Sequence, residues 1–217
     1  MDITVNIATL PDRYVQLINT VASLYFQADK INIALNNYKE IPKIFLNDKK
    51  INAVLSDNSL GDAHKFQFQE KNQHYFTCDD DLIYPPNYVK NMIYGLHKHY
   101  IVSIHGRTFQ EFPIKSYYKS AAKKYRCLAD ENYYGNVQFG GTGVMAFNTN
   151  EIQIPMDIFT HPNMADVHVG CWVKLNNIEI THLPHCGLEY QPVENTIFDN
   201  HKNNDSIQTD LVNKIFC

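Results

Sequence analysis

Short apolar strands alternate with loops and a helix over the first 80 residues of this 217-residue chain. Alternating apolar side chains predict strands at residues 3–7, 31–35, 51–55 and 74–77, and apolar side chains at helical spacing predict a helix from Val15 to Tyr25. This order is typical of βαβ units, in which helices cover a parallel sheet. The 44% hydrophobic composition is enough to fill one core. We therefore expect an α/β fold in a single domain, 1–217, built on a mainly parallel sheet.

The second half of the chain is less regular. We expect a helix after Pro86, strands at 100–105, 144–147 and 178–183, a helix at 165–175 and an amphipathic helix at 207–216. From Gly106 to Asn136 the chain is rich in Tyr and Lys without a clear period. That pattern predicts a long loop over a site, poorly ordered without ligand. The chain thus divides into a first half, 1–105, and a second half, 106–217, in which we expect a smaller region beside the main sheet.

Charge and cysteine content exclude several classes of protein. The formal net charge of −4 leaves no basic surface for a nucleic-acid partner. The five cysteines are an odd number without a Cys-x-x-Cys pair, which favours a reducing compartment. No run approaches the roughly 20 apolar residues of a membrane span, and no signal peptide precedes the first strand. We expect a cytoplasmic protein, with peripheral attachment at the inner face of the cell membrane left open.

Three consecutive acids, Asp79, Asp80 and Asp81, follow the fourth predicted strand directly. In open α/β sheets, ligands bind beyond the carboxyl ends of the strands. Adjacent carboxylates repel one another unless a cation gathers them, and Mg²⁺ or Mn²⁺ held there can also bind phosphates. We predict Asp79 and Asp81 as metal ligands and Asp80 as a catalytic group. The alternative is a solvated turn whose acids cap the next helix, but the strand before the acids and Ile83–Pro86 after them favour the metal site.

The segment Tyr75–Val89, which contains these acids, resembles the Asp-x-Asp region of bacterial capsule glycosyltransferases with the GT-A fold, of the heparosan α-N-acetylglucosaminyltransferase type. Further motifs match in the family's order over roughly residues 3–175. They are Lys30–Asn36 with Glu40–Pro42, Lys65 with Phe66, Ile104–Gly106, Gly141–Gly143, and Asp166 with Val167.

The resemblance implies a GT-A-like domain that binds a UDP-sugar donor with Mn²⁺ or Mg²⁺. It implies transfer of N-acetylglucosamine or a related hexose to an oligosaccharide or polysaccharide acceptor, with retention of configuration, in bacterial surface polysaccharide synthesis. The chain departs from the family at residues 107–137 and after His182, where acceptor contacts are expected. One transferase domain cannot build a polymer of two alternating sugars, so a second glycosyltransferase is an expected partner.

Five residues are candidates for the nucleotide side of the site. Thr9 and Arg13 follow the first strand, where Arg13 could meet the diphosphate or the uracil ring. Asn36 and Asp57 follow the second and third strands, where they could bind the uracil or the ribose. The resemblance implies that Lys65 faces the nucleotide phosphates. The alternatives are an ordinary helix-entry turn, common turn formers, and a solvated lysine.

A second set of candidates belongs to the sugar side. Three of them end the strand at 100–105, on the same edge as the aspartates, and two lie in a glycine-rich turn that would let backbone approach a sugar closely. Their alternative roles are a structural histidine at a strand end and an ordinary turn. These five residues are His105, Gly106, Arg107, Gly141 and Thr142.

The reacting centre and a third metal ligand are assigned to later residues. The resemblance implies that Asp166 holds the donor sugar or the acceptor hydroxyl, although an acid at a helix start also stabilises the helix dipole. A late histidine is expected as the third metal ligand, and the candidates are His182, His185 and His201. We favour His185 because it directly follows a predicted strand.

Two other functions fit parts of the sequence. A nucleotidyltransferase shares the βα architecture and the metal carboxylates, but such enzymes usually carry a glycine-rich loop after the first strand, and Thr9–Arg13 contains no glycine. A non-catalytic carbohydrate-binding subunit is compatible with the 12% aromatic content. The intact acidic run argues against this second alternative.

Overall fold

The computed structural model describes residues 1–194, 196 and 204–217. Its strands are β1 (Asp2–Thr9), β2 (Lys30–Asn36), β3 (Ile51–Ser56), β4 (Gln73–Cys78), β5 (Leu82–Ile83), β6 (Ile101–Ser103), β7 (Gly106–Thr108), β8 (Lys123–Tyr125), β9 (Gly135–Val137), β10 (Phe139–Gly140), β11 (Val144–Asn148), β12 (Ile180–His182) and β13 (Glu189–Tyr190). Its α-helices are α1 (Tyr14–Leu24), α2 (Lys43–Leu46), α3 (Tyr88–Leu96), α4 (Ala165–Leu175) and α5 (Ser206–Phe216).

A large, mainly parallel sheet forms the centre of the fold, which confirms the predicted α/β class. The strand order is β3-β2-β1-β4-β11-β6-β12-β9. The pairs β2–β3, β1–β2, β1–β4 and β6–β12 are parallel, whereas β11 and β9 run against their neighbours. Because β1, β2 and β4 point the same way, the residues that follow them meet at one edge of the sheet.

Apolar side chains on both faces of the sheet hold it between helices. Along β4, Phe76 packs in one cluster with Leu17 of α1 and Met92 of α3. The neighbouring Tyr75 points to the opposite face and packs against Phe147. This alternation is the period-two pattern of a strand buried on both faces. Each fully buried aliphatic or aromatic side chain contributes about 1.5–3 kcal/mol to the free energy of unfolding.

The segment after β6 corrects one prediction. Residues 106–136 were expected to form a long loop without core residues, but β7 and β8 join β10 in a second, three-stranded sheet. Phe109, Ile114 and Tyr117 are buried in a third apolar cluster. Strands of three residues are too short to show a period, and their partners are distant in sequence, so the pattern did not reveal them.

The predicted C-terminal amphipathic helix is confirmed as α5. Its Val212 is fully buried beside Val167 and Cys171 of α4. The helix therefore closes the third cluster, on the same side of the molecule as the start of α4. Among the described residues, no helix is both long and apolar enough to cross a membrane.

Candidate active site

The acidic run lies at the carboxyl end of β4, in contact with Arg13, which lies in the turn after β1. Pro11 opens a short 3₁₀ turn that ends at Arg13, and this turn places the guanidinium over the run. The Nη1 atom of Arg13 lies 3.0 Å from Oδ1 of Asp80 and 3.8 Å from Oδ2 of Asp81. The segments that follow β1 and β4 are therefore joined by an ion pair.

Lys65 also contacts the acidic run, through Asp79. It lies in the 3₁₀ turn Gly61–Phe66, is 2% exposed, and its Nζ is 2.7 Å from Oδ1 of Asp79. Burial by itself lowers the pKa of Lys65, but Asp79 and Asp62 outweigh burial and raise the pKa above its ordinary value. The side chain therefore remains an ammonium at the sheet edge.

Glycine is required opposite Asp79. A Cβ atom on Gly143 would lie 1.9 Å from Oδ2 of Asp79, closer than any two such atoms can approach. The carbonyl of Gly143 also accepts a hydrogen bond from the Asp79 backbone N–H at 3.2 Å. The glycine-rich turn before β11 thus packs against the Asp79 carboxylate. Gly143 is therefore a site residue, although the sequence analysis named it only as part of the motif Gly141–Gly143.

The acids are crowded and partly stripped of water. Burial raises the pKa of Asp80, while Arg13 opposes the shift. Within the described part of the chain, Oδ2 of Asp80 has no hydrogen-bond partner. Burial, followed by the charges of Asp79 and Asp80, raises the pKa of Asp81 to about 7. A further cation would relieve this repulsion.

These carboxylates fit a divalent cation that is shared with substrate phosphates. The described residues contain no group of three His, Cys, Asp or Glu side chains arranged to hold a metal by themselves. Mg²⁺ is usually bound by one or two carboxylates plus phosphates and water. The hard carboxylate oxygens of Asp79 and Asp81 fit that requirement, whereas Oδ2 of Asp80 is fully buried. Mn²⁺ or Mg²⁺ bound here would take its other ligands from the substrate.

The late histidines have other partners in the structure. Nδ1 of His185 faces the Leu183 carbonyl at 3.1 Å, and Nε2 faces the Arg126 carbonyl at 3.3 Å. A metal ligand needs a free nitrogen lone pair, so His185 would have to leave these carbonyls in order to bind metal. His182 is fully buried, with Nδ1 3.0 Å from the Tyr133 carbonyl. His201 lies outside the described residues.

Asp166 lies in the first turn of α4, as predicted, and belongs to a group of aromatic and cationic side chains. Its Oδ2 accepts a hydrogen bond from the Tyr117 hydroxyl at 2.8 Å. The Arg107 guanidinium stacks over the rings of Tyr117 at 4.3 Å and Tyr118 at 5.2 Å. Burial lowers the pKa of Arg107, whereas Tyr117 and Asp166 raise it, and the net shift is upward. We call this group the second wall of the candidate site, and we call the acidic run with Arg13 and Lys65 the first wall.

His105 interacts electrostatically with residues of both walls. Burial and then the Arg107 charge lower the pKa of His105 to about 4, and the charges of Asp166 and Asp79 both oppose that shift. The imidazole is therefore neutral near pH 7, within electrostatic range of both Asp79 and Asp166. The Gly141 N–H donates to the His105 carbonyl at 2.9 Å, and a Cβ atom on Gly141 would lie 2.8 Å from the Cβ of His105.

Two other predicted residues support the site through packing. Gly106 is buried where a Cβ atom would lie 2.9 Å from Cγ1 of Val137, so a glycine is needed there for strand packing. Thr142 is buried in the turn between β10 and β11. Neither position needs a ligand to explain the residue, and a contact between Thr142 and substrate stays a prediction.

The remaining nucleotide-side candidates are spread along the strand ends. Thr9 is buried beside Asp80 and lowers the pKa of that carboxyl. The Asn36 amide donates to the Asn58 side chain at 3.1 Å and to the Gly61 carbonyl at 2.9 Å, so it fixes the turn that carries Lys65. The Asp57 side chain is 77% exposed and accepts the Ser59 backbone N–H at 2.9 Å in a local turn. Nucleotide contacts by Asn36 and Asp57 stay predictions.

Sequence reasoning also missed Tyr117 and Asp62. Tyr117 comes from the segment that was expected to be a loop. Asp62 lies three residues before Lys65, in the same turn, and the charges of Lys65, Asp166 and Asp79 all reach it. The one sequence signal for Asp62 is that it is an acidic residue close to the candidate Lys65.

Comparison with known proteins adds little to this geometry. No protein-family model and no curated protein matches the chain. One solved structure with a similar arrangement is 4-diphosphocytidyl-2C-methyl-D-erythritol synthase from Anaerococcus prevotii, at 11% sequence identity and a TM-score of 0.43. The match covers 99% of this chain and 98% of that one. A likeness this weak says nothing about a shared activity.

Proposed function

We propose that this chain is a metal-dependent glycosyltransferase that moves a hexose of the N-acetylglucosamine type from a UDP-sugar to a saccharide acceptor. One observation carries the proposal. Arg13 pairs with Asp80 and Lys65 pairs with Asp79 in the acidic run Asp79–Asp81, while the charges of Asp79 and Asp166 both act on His105. The first wall suits a diphosphate, and the second suits a sugar.

The first wall can bind a diphosphate because it combines cations with carboxylates. Lys65 and Arg13 supply N–H donors for phosphate oxygens, and charge-assisted bonds of this kind are among the strongest in proteins. The Asp79 side chain is 45% exposed, so a ligand can reach it. A bound Mn²⁺ or Mg²⁺ would neutralise the negative charge that develops on the leaving diphosphate.

The second wall can orient the reacting sugar. Asp166 accepts hydrogen bonds from the Tyr117 hydroxyl and from the Val167 backbone N–H. These two donors lock the carboxylate in one direction, and its remaining lone pairs can accept from hydroxyl groups of the donor sugar or the acceptor. Rigid support of this kind is what a catalytic carboxylate requires.

The family resemblance supplies the biological setting. Motifs in the capsule glycosyltransferase order run from Lys30–Asn36 to Asp166–Val167. The proposal is supported by the ion pair between Lys65 and Asp79 and by the charges of Asp79 and Asp166, which both act on His105. On this proposal the enzyme retains the anomeric configuration. It acts with a second glycosyltransferase in bacterial surface polysaccharide synthesis, in the cytoplasm or at the inner face of the cell membrane.

A nucleotidyltransferase is the second candidate, because Lys65, Arg13 and the same acids would also hold a nucleoside triphosphate. Against it, the turn after β1 is a short 3₁₀ turn, Pro11–Arg13, without the glycine-rich loop that usually wraps a triphosphate in those enzymes. A non-catalytic carbohydrate-binding subunit would use the aromatic second wall but would not need the paired cations.

The two kinds of enzyme break different bonds, so their products separate them. We would incubate the protein and Mn²⁺ either with a panel of UDP-sugars or with nucleoside triphosphates plus sugar phosphates. We expect UDP and free sugar from the UDP-sugars, and no pyrophosphate from the triphosphates. The Asp81→Ala variant controls for contaminating activity. Release of pyrophosphate would identify a nucleotidyltransferase, and sugar binding without either product would identify a binding subunit.

A further inference from the structure

Strand β3 forms one edge of the central sheet. It pairs with β2 on one side, and among the described residues no strand pairs with its other side. Its six residues, Ile51–Ser56, include no charged side chain and no proline. Soluble proteins usually protect a sheet edge with one of these features or with a very short strand. The other edge of the sheet follows that rule, because β9 has three residues, but β3 does not.

Every second residue of β3 directs its backbone groups away from β2. The carbonyls of Lys50 and Ser56 accept hydrogen bonds at 2.8 Å from N–H groups of β2 and of the residue after it. In a parallel pair, alternate residues of a strand bond to the same neighbour, so the even-numbered residues of β3 face β2. The odd-numbered residues Ile51, Ala53 and Leu55 therefore direct their carbonyls outward, and Ala53 and Leu55 also direct their N–H groups outward.

The charges that flank β3 are complementary to those of a second copy. Lys49 precedes the strand and Asp57 follows it, and both side chains are exposed. Each lies four residues from Ala53. When two β3 strands pair antiparallel about Ala53, Lys49 of each chain lies opposite the partner's Asp57, at both ends of the pair. Parallel pairing would place like charges side by side, which is unfavourable.

The apolar side chains fit the same register. Leu55 and Ile51 each lie two residues from Ala53, so Leu55 of one chain lies opposite the partner's Ile51. Leu55 is 45% exposed in the single chain, and Ile51 is partly buried against the main core. Ile51 also lines an apolar groove with Ile44 of α2 and with Phe26, which is 92% exposed. Exposed apolar surface of this kind marks an interaction site.

We propose that the chain forms a two-fold symmetric homodimer by antiparallel pairing of β3 with β3, centred on Ala53. In this register, Ala53 of each chain donates to the carbonyl of the partner's Ala53. The Leu55 N–H of each chain donates to the carbonyl of the partner's Ile51. The two eight-stranded sheets thereby join edge to edge through a self-complementary interface. The dimer does not depend on the proposed glycosyltransferase function.

Sedimentation equilibrium over a range of protein concentrations measures both the mass and the Kd of the dimer. We expect the wild-type chain to reach twice the mass of a single chain. Ala53→Pro removes the N–H at the centre of the interface from both copies. It spares the hydrogen bonds to β2, because proline is tolerated on an edge strand where the N–H points outward. This variant should be monomeric, with the circular dichroism spectrum of the wild type.

A charge swap tests the register. Lys49→Glu or Asp57→Lys alone places like charges at both ends of the pair and should raise the dimer Kd about 10-fold. The double variant Lys49→Glu/Asp57→Lys restores opposite charges and should return the Kd to the wild-type value. Lys71→Glu is the matched control, because it makes the same charge change at an exposed lysine just before β4, three strands away. Its Kd should equal that of the wild type.

The charge variants alter exposed side chains alone, so they decide the question even if Ala53→Pro does not fold. A wild-type chain that stays monomeric at every concentration would overturn the proposal and leave the edge to a strand of another protein. A dimer that persists unchanged in Lys49→Glu and Asp57→Lys would place the interface elsewhere on the chain. Single variants that weaken the dimer without rescue in the double variant would contradict the antiparallel register.

Discussion

Replacement of Lys65 by methionine tests the diphosphate wall while preserving the volume of a buried side chain. Lys65 is 2% exposed, and its ammonium lies 2.7 Å from Oδ1 of Asp79. Removing one partner of a fully buried ion pair typically costs about 3–5 kcal/mol of stability. Here the Asp79 side chain is 45% exposed, so water can solvate the carboxylate that is left. Methionine also has no charge to desolvate, and we expect a loss of less than about 2 kcal/mol.

The effect on UDP should be larger than the effect on folding. In the proposed function, the ammonium donates a charge-assisted hydrogen bond to the diphosphate, and such a bond is worth about 1.5–3 kcal/mol. Losing it should raise the Kd for UDP about 10- to 150-fold. Titration calorimetry with UDP and Mn²⁺ measures Kd, and thermal unfolding of the same preparations measures stability.

Lys71→Met is the matched control, because Lys71 is an exposed lysine shortly after the same turn. Its UDP affinity should equal that of the wild type. If Lys65→Met binds UDP as tightly as Lys71→Met does, Lys65 does not contact the diphosphate. In that case the ion pair with Asp79 has a structural role alone.

Three further predictions concern other parts of the site. Asp166→Asn should lower turnover by about 100-fold or more, with little change in the Kd for UDP by calorimetry, because Asp166 lies on the sugar side; equal losses of both would move it to the nucleotide side. Gly143→Ala should abolish metal-dependent UDP binding, because its Cβ would lie 1.9 Å from Asp79 Oδ2, and unchanged calorimetry would contradict this. Folding raises the pKa of Asp62 from 3.8 to about 7, so the folded state holds an extra proton between these values. The contribution of this group to the free energy of unfolding should therefore be fully present below about pH 4 and be lost as pH rises through about 7. The Tm of the metal-free protein should depend less on pH in Asp62→Asn than in the wild type. Equal pH dependence of Tm in the two proteins would refute the shift.

Several elements of the fold could be predicted from local sequence pattern. The predicted strand at 74–77 is β4, whose aromatic residues Tyr75 and Phe76 are buried on opposite faces of the sheet, and the acids follow it directly. The helix predicted at 165–175 is α4 with the same bounds. These elements are long or strongly patterned, so their own residues determine them.

The second wall depends on contacts between distant residues, which no local pattern encodes. Tyr117 reaches Asp166 because short strands and α5 bury the segment after β7. The antiparallel insertion of β11 between β4 and β6 is also a tertiary property. Sequence order could not predict that Gly143 would lie against Asp79.

The most direct test of the account is the binding of UDP by the wild-type protein with and without Mn²⁺. In the proposed function, the carboxylates of Asp79 and Asp81, with the two cations paired to the acidic run, bind a diphosphate and a divalent cation together. Calorimetry should therefore show at least tenfold tighter UDP binding with Mn²⁺, which corresponds to about 1.4 kcal/mol. That gain should disappear in Asp81→Ala. Equal UDP affinity with and without the metal, or a gain that persists in Asp81→Ala, would contradict the assignment of the acidic run as the metal and diphosphate site.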